Sequence, residues 1–399
     1  DALSKVQKYL HRQGIDWLSP IARKVEREGT PNRRNVVLVF MESMSANLMG
    51  TFGSDKKLTP YLDSLYQQSL SFSHFYSSGI HTNHGIYSTL YSFPAIMKRN
   101  AMKGSVIPVY SGLPTVLQEN GYCNLFFMTH ESQYDNMNAF LRTNGFDEIY
   151  AQENYPSEKV VNSFGVQDDF MYQYALPILN ERAGTGNPFF SVLLSISNHP
   201  PYVIPPYFHP HSDVLEEQIV EYADWSIRQF MQAAEKQPWF DNTIFVFLGD
   251  HGKMVGTPEC EMPQSYNHIP LMIYGKDIKP GVYDGFGGQV DVSPTLLGLL
   301  NISYLQNNFG VNLLEEERPC MFFTADNLIG ARDSVNMFIY SPDSQQEFKY
   351  KLEEGKLHAA TGTDEEAFRN LKDYCFSMLQ STESLVKEHK TLDKVSVKK

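Results

Sequence analysis

Asp250 and His251 follow directly on the run Thr243–Gly249. The β-branched and aromatic side chains of that run predict a strand buried on both faces. An Asp and a His released at a strand end offer one oxygen and one nitrogen donor, a set that suits a hard or borderline divalent cation. The bland alternative is an Asp that turns the chain beside a surface His, and these two residues alone do not decide. Other strand ends bear on the choice. Glu42 follows the apolar run Val36–Met41, His130 and Glu131 follow Tyr122–Met128, and Asn198 and His199 follow Pro188–Ile196. Ligands of open α/β sheets bind outside the carboxyl ends of strands, so polar groups at four such ends are expected around one crevice. Thr82, in the Gly-bounded turn Gly79–Gly85 that leads into a helix, is suited to be a fourth metal ligand beside Glu42, Asp250 and His251. Metal coordination lowers a hydroxyl pKa and makes the alkoxide a nucleophile. A helix amino end beneath it favours an incoming anion. The competing role for Thr82 is that of a plain N-cap.

The elements that must position these groups alternate. Residues 1–30 read as one or two amphipathic helices broken at Pro20. A helix opens at Thr59-Pro60 as N-cap and first position, followed by the strand Ser71–Tyr76 and a helix from about Asn83 to Phe93. Leu113–Asn120 and Asn136–Asn144 read as helices closed by Gly121 and Gly145. Asp168–Arg182 is a helix kinked at Pro177, and Asp213–Lys236 is the longest helix. Pro270–Tyr274 is a further strand, and Ser293-Pro294 opens the helix Thr295–Leu300. Beyond residue 310 the pattern changes to an antiparallel meander over Met321–Thr324, Val335–Tyr340 and Phe348–Tyr350. A polar helix, Asp364–Glu388, and a frayed His389–Lys399 follow. Such alternation argues for a mainly parallel sheet covered on both faces.

The chain has 399 residues, enough for one large α/β domain or a large domain plus a small one. Its formal net charge of −13 argues against a nucleic-acid partner and against adhesion to anionic lipid. A phosphorylated substrate stays compatible, because a bound metal dominates the local field. The four cysteines, Cys123, Cys260, Cys320 and Cys375, form no CxxC pair and no disulfide framework. No apolar window of about 18 residues is present. The polar start Asp1–Lys8 lacks a signal-peptide pattern. With Asp1 in place of an initiator methionine, the chain is read as the soluble portion of a longer protein.

The order and spacing of Val36–Ser43, Leu58–Leu65, Gly79–Gly85, Ser197–Tyr202, Gly249–Gly252, His268–Gly275 and Val290–Leu297 carry a resemblance. From about Asn35 to Leu300 the chain resembles the extracellular catalytic domain of the lipoteichoic acid synthase family, a branch of the alkaline phosphatase and sulfatase superfamily. The tail resembles that family's small C-terminal subdomain. The resemblance implies an α/β, alkaline phosphatase/sulfatase-like fold: a mainly parallel sheet sandwiched by helices, plus a small C-terminal antiparallel-sheet subdomain. Residues 1–30 would be a helical lead-in, 31–309 the catalytic domain, and 310–399 the small subdomain with its terminal helix.

For the site, the resemblance implies one divalent metal held by Glu42, Thr82, Asp250 and His251, with Mn2+ first and Zn2+, Mg2+ or Ca2+ also compatible. Thr82 is then the nucleophile that carries a covalent phospho-intermediate, and His199 the substrate-binding or leaving-group histidine. His130, Asn83 and His268 are further candidates for substrate binding. Ser195, not Asp, stands four residues before His199, so one metal is expected rather than two. The synthases carry Trp and Arg before Asp-Asn-Met, where this chain has Glu131-Ser132-Gln133-Tyr134 before Asp135-Asn136-Met137. That departure widens the substrate from glycerol phosphate to other polar head groups and to phosphorylated or sulfated glycans.

The expected function is a phosphotransferase or phosphodiesterase of phosphoglycerol- or phosphoethanolamine-transferase type, acting on lipid- or glycan-linked esters. It would work as a monomeric domain outside the cytoplasm, tethered by an upstream membrane anchor. Two alternatives compete with it. A sulfatase makes formylglycine from Cys or Ser in a C/S-x-P-x-R pattern, whereas this chain reads Thr82-Asn83-His84-Gly85-Ile86, and Thr cannot give that aldehyde. A non-catalytic binding domain has no need of all four of Glu42, Thr82, Asp250 and His251.

Overall fold

Residues 1–360 and 365–392 are described by the computed structural model. Its centre is β1 (Asn35–Met41), every residue of which is buried. The other strands of this sheet are β2 (Leu70–Tyr76), β3 (Cys123–Phe127), β4 (Glu148–Tyr150), β5 (Phe189–Leu194), β6 (Thr243–Gly249), β7 (Leu271–Tyr274) and β8 (Gly281–Gly288). They lie in the order β8-β2-β7-β6-β1-β5-β3-β4. Only β7 runs antiparallel to its neighbours. Being wholly buried, β1, β5 and β6 have continuous apolar runs in place of an alternating pattern. Each fully buried Val, Leu or Phe among them contributes roughly 1.5–3 kcal/mol. Two apolar layers cover the faces. One includes Ile86, Leu90 and Leu296, the other Leu62, Tyr172, Tyr222 and Phe230.

A second, five-stranded antiparallel sheet is built from Met321–Thr324, Ile329–Arg332, Asn336–Ser341, Gln346–Glu353 and Lys356–Ala359. This bears out the expected fold class, with two more strands in the meander than the sequence pattern indicates. The helix Glu366–Lys387 packs on this sheet, and the N-terminal helix Ala2–Tyr9 lies against it. Tyr9 donates to Asp373 at 3.0 Å, and its ring meets Tyr374 edge-on at 5.1 Å.

Several boundaries differ from the sequence reading. The helical start ends at Tyr9. After Gly14, whose φ is +80, Arg23–Val25 forms a strand with Tyr304–Gln306. β8, which is glycine-rich, falls in a stretch to which the sequence pattern assigns no element. As an edge strand it pairs only with β2 and carries an irregularity between Tyr283 and Phe286. The helix expected from Ser293-Pro294 starts at Val292, with Asp291 as N-cap. The longest helix is Glu366–Lys387, at 22 residues, against 20 for Leu215–Ala234, because Val214 stays extended. Residues 389–392 were expected to fray, yet Thr391 is buried and donates to Val109 O. Asp364 and residues 393–399 lie outside the described residues.

Asp224 fixes one covering helix. Buried on Leu215–Ala234, it accepts from the backbone N–H of Tyr61 (3.1 Å) and Leu62 (2.8 Å) in the first turn of Pro60–Gln68. Burial outweighs those donors and raises its pKa to about 7. Between the ordinary Asp value and about 7, the folded protein keeps a proton that the unfolded chain has released. Stability from this group is therefore complete at low pH and falls as pH rises, by at most about 1.4 kcal/mol per unit. Urea midpoints of wild type and Asp224→Asn between about pH 5 and 8 check this. The wild-type advantage should shrink as pH rises; a constant difference contradicts it.

Candidate active site

The sheet order sets the site. β6, β1, β5 and β3 are consecutive neighbours, and they are the four strands whose ends carry Asp250, Glu42, Asn198 with His199, and His130. The register pairs Met41 with Gly249, so Glu42 and Asp250 leave adjacent strands side by side. Both are buried, at 1% and 0% exposure.

Thr82 opens α3 (Thr82–Tyr91) as its first helical residue, and the extended His81 takes the N-cap position. Thr82 Oγ1 lies 3.1 Å from Glu42 Oε2 and 2.9 Å from Asp250 Oδ2. The hydroxyl has one proton and so serves one carboxylate at a time. Its side chain faces the carboxylates and does not cap the helix. Close approach of α3 to the end of β6 depends on Gly85, where an added Cβ would sit 2.2 Å from Asp250 O. Gly85→Ala should therefore cost about 1–3 kcal/mol by overpacking and weaken cation binding. Thermal unfolding and metal titration check this, and an unchanged variant contradicts it.

The turn after β1 aligns both carboxylates. Ser43 has φ 52, a left-handed conformation that is strained for a side chain other than Gly or Asn. From it the Ser43 N–H donates to Asp250 Oδ1 at 2.9 Å, and its hydroxyl to Glu42 Oε1 at 3.0 Å. Gln289 Nε2 donates to Asp250 O at 2.8 Å while its Oε1 accepts from Ser78 N, tying β6 to the loop before Thr82. His251 Nδ1 lies 2.7 Å from Gly252 O, which makes it the donor in the neutral ring. Nε2 is then free for a ligand, 3.5 Å from Glu42 Oε1 and from Asp250 Oδ2.

Burial and mutual charge pull these groups apart. Burial disfavours charge on Glu42, but His251 outweighs it and holds Glu42 at about 2. Burial, and then the Glu42 charge, push Asp250 well above its ordinary value. His251 is pulled down by burial and raised to about 10 by Asp250 and Glu42. Two buried carboxylates facing one imidazole and one hydroxyl are costly without a cation. Donor atoms of Glu42, Asp250 and His251 all lie within 4.8 Å of one another. With Thr82 they give a hydroxyl, two carboxylates and a nitrogen, a set that fits a divalent metal.

The remaining candidates divide. His130 is buried at the end of β3, with Nδ1 bonded to Glu131 O at 2.9 Å and Nε2 without a partner. Burial lowers its pKa against the opposing charge of Glu42. The rings His130, Tyr134, Phe164 and His199 form a row, with successive centroids 4.7, 6.2 and 4.3 Å apart. The Glu42 carboxylate feels the charge of His199. Asn83 instead lines a separate cavity of about 160 Å3 with His84, Arg99 and Tyr110. His268 is also placed elsewhere. Its ring stacks on Tyr76 at 5.3 Å and Nε2 lies 2.8 Å from Ser73 O, so it packs β2 and does not join the carboxylates. Its pKa is pulled down to about 4 by burial. Sequence reasoning missed Ser43, Gln289, Phe164 and Lys253. Only Lys253 had a readable signal: it is a cation two residues past His251 in an acidic chain.

This sheet and the placement of the site at its strand ends define a phosphatase- and sulfatase-like α/β hydrolytic fold. The pattern of the Sulfatase family matches residues 34–302, and the chain belongs to that family. It is a lipoteichoic acid synthase-like member of the alkaline phosphatase superfamily. The chain is 25% identical over 352 residues to a lipoteichoic acid synthase-like protein, YvgJ, of Bacillus subtilis, covering 80% of this chain and 55% of that one. It is 23% identical to lipoteichoic acid synthase of Staphylococcus aureus, covering 86% and 56%. The chain thus spans about half the length of the curated relatives it matches. Among solved structures, an alkaline phosphatase superfamily protein of Vibrio parahaemolyticus aligns with TM-score 0.88 at 25% identity, over 98% and 97% of the two chains. The synthase LtaP of Listeria monocytogenes aligns at 0.76 with 21% identity, over 96% and 98%. Membership in this superfamily supports enzymatic activity of phosphotransferase or sulfatase type.

Proposed function

We propose that the chain is a metal-dependent phosphotransferase or phosphodiesterase acting on lipid- or glycan-linked phosphate esters of the cell envelope. The observation that carries the reading is the Thr82 hydroxyl, 3.1 and 2.9 Å from two buried carboxylates at a helix amino end. Glu42, Thr82, Asp250 and His251 would hold one divalent ion, manganese first. When bound, it supplies positive charge that lowers the hydroxyl pKa and offsets charge building on the phosphoryl oxygens. Thr82 Oγ1 passes its proton to Asp250 Oδ2, 2.9 Å away, which returns it when Thr82 is released, and attacks phosphorus. The new O–P bond forms as the bond to the leaving alkoxide breaks, and the electron pair departs with that oxygen. His199 protonates it. An acceptor hydroxyl or water, its proton taken by His199, then displaces Thr82 from phosphorus and restores the free hydroxyl. The α3 amino end favours the anion throughout. The unpartnered His130 Nε2 is a donor or acceptor for the substrate.

Sulfate-ester hydrolysis through formylglycine does not suit Thr82, because oxidation of a secondary alcohol gives a ketone. A panel of phosphodiesters and sulfate monoesters with Mn2+ tests the reading. Turnover of phosphodiesters is expected, and turnover confined to sulfate esters contradicts it. We also propose that the site works outside the cytoplasm, on a protein anchored through a segment beyond this chain; the support is the half-length match to its relatives. Among the described residues no helix is long and apolar enough to cross a membrane. External protease should digest the domain on intact spheroplasts; protection there contradicts the proposal.

A further inference from the structure

Lys253 is the cation that the proposed chemistry leaves unused. Its backbone is held in both directions by Ser45, whose Oγ accepts from Lys253 N at 2.8 Å and donates to Lys253 O at 3.1 Å. The side chain is half-buried, and Nζ donates to Asn198 Oδ1 at 2.6 Å. It lies over the Tyr202 ring, 5.3 Å from the centroid. Lys253 has no ion-pair partner among the described residues; Glu42 and Glu216 act on it only as more distant charges. Asn198 is buried and fully used. Its Nδ2 donates to the backbone oxygens of Glu42 (3.1 Å) and Ser43 (3.4 Å), so its Oδ1 remains for Lys253. The lysine, two residues past His251, is thus tied through Asn198 to the backbone of Glu42 and Ser43 at the end of β1.

A half-buried ammonium without a carboxylate is costly unless an anion completes it. Asn198 takes one of its three protons and the Tyr202 face takes part of its charge, which leaves donor capacity unspent. Lys253 is thus a positive charge without an ion-pair partner at the edge of the site, and an anion is the group that completes it.

We propose that Lys253, held in place by Asn198 and Tyr202, forms an anion subsite that binds a non-bridging oxygen of a tetrahedral phosphate or sulfate ester beside Thr82. The inference rests on the phosphoryl-transfer reading of the site. It adds that Lys253 supplies part of the affinity for the anionic oxygens of the ester, whether a phosphate or a sulfate ester. Lys253 is a binding and specificity residue, and it takes no proton in the reaction.

The test uses the Mn2+-loaded protein. Inorganic sulfate and inorganic phosphate are titrated calorimetrically into wild type, Lys253→Met and Lys253→Arg, with metal content and melting temperature measured on the same samples. Lys253→Met should bind both anions about tenfold or more weakly, with one equivalent of metal retained. Lys253→Arg should recover most of the affinity, which a purely structural lysine would not predict if all three proteins melt alike. In steady-state assays the methionine variant should raise KM for a phosphodiester more than it lowers kcat. A sulfate ester tested in parallel distinguishes the two sources. Equal anion affinity in Lys253→Met and wild type, at equal metal content, overturns the subsite and leaves the phosphoryl-transfer reading standing. A wild type that binds neither anion and turns over no phosphodiester overturns both. Should Lys253→Met fail to fold, Tyr202→Leu removes the ring face alone, and unchanged anion affinity there also counts against the subsite.

Discussion

Asp250→Ala should fold but hold no divalent cation, where wild type holds one equivalent. Asp250 stands between the other three groups. Its Oδ2 contacts Thr82 at 2.9 Å and faces His251 Nε2 at 3.5 Å, while its Oδ1 accepts from Ser43 N and His251 N. Removing it leaves Glu42 and His251, which can neutralise each other as an ion pair. Phosphodiester turnover should fall on the order of a thousandfold, since a metal supplies several kcal/mol of transition-state stabilisation and each ~1.4 kcal/mol is tenfold in rate. Elemental analysis of the purified proteins, with circular dichroism as the folding control, decides it. Unchanged metal content in the variant removes this site as the metal centre.

Thr82→Ala should behave differently, and the contrast separates ligand from nucleophile. Glu42, Asp250 and His251 remain, so the variant should still bind metal, more weakly for the loss of one donor. Turnover should nevertheless drop by about a thousandfold or more, because the hydroxyl at the α3 amino end is gone. Thr82→Ser restores an alcohol on the same α3 position and should regain part of the rate. Activity in Thr82→Ala within a few-fold of wild type would move the nucleophile elsewhere.

The site was legible where its chemistry sits at strand ends. Glu42, Asp250 and His251 each follow a continuous apolar run, and runs of that kind are short and buried enough to be recognised as strands. The sheet order makes those four strands neighbours, as one shared crevice at their ends requires. What the sequence hid are the groups that align the ligands. Ser43 acts through a positive φ, and Gln289 ties Ser78 to Asp250 across distant parts of the chain. Neither leaves a local pattern. His268 looked like a site residue because it lies in a recognised motif, yet its role is packing against Tyr76 and Phe52. Asn83 adjoins Thr82 in sequence, but it lines a different cavity. In the fold, β8 was hidden by its glycines and its edge position, where one neighbour suffices and burial is partial.

The central claim is that the Thr82 hydroxyl, set between Glu42 and Asp250, takes the phosphoryl group onto itself. The direct measurement is acid quenching of the Mn2+-loaded enzyme during turnover of a phosphodiester, followed by mass spectrometry of its peptides. A phosphoryl adduct is expected on the peptide that contains Thr82, absent in Thr82→Ala and accumulating when the acceptor is withheld. Turnover without any adduct on that peptide, or an adduct on a different side chain, would contradict it.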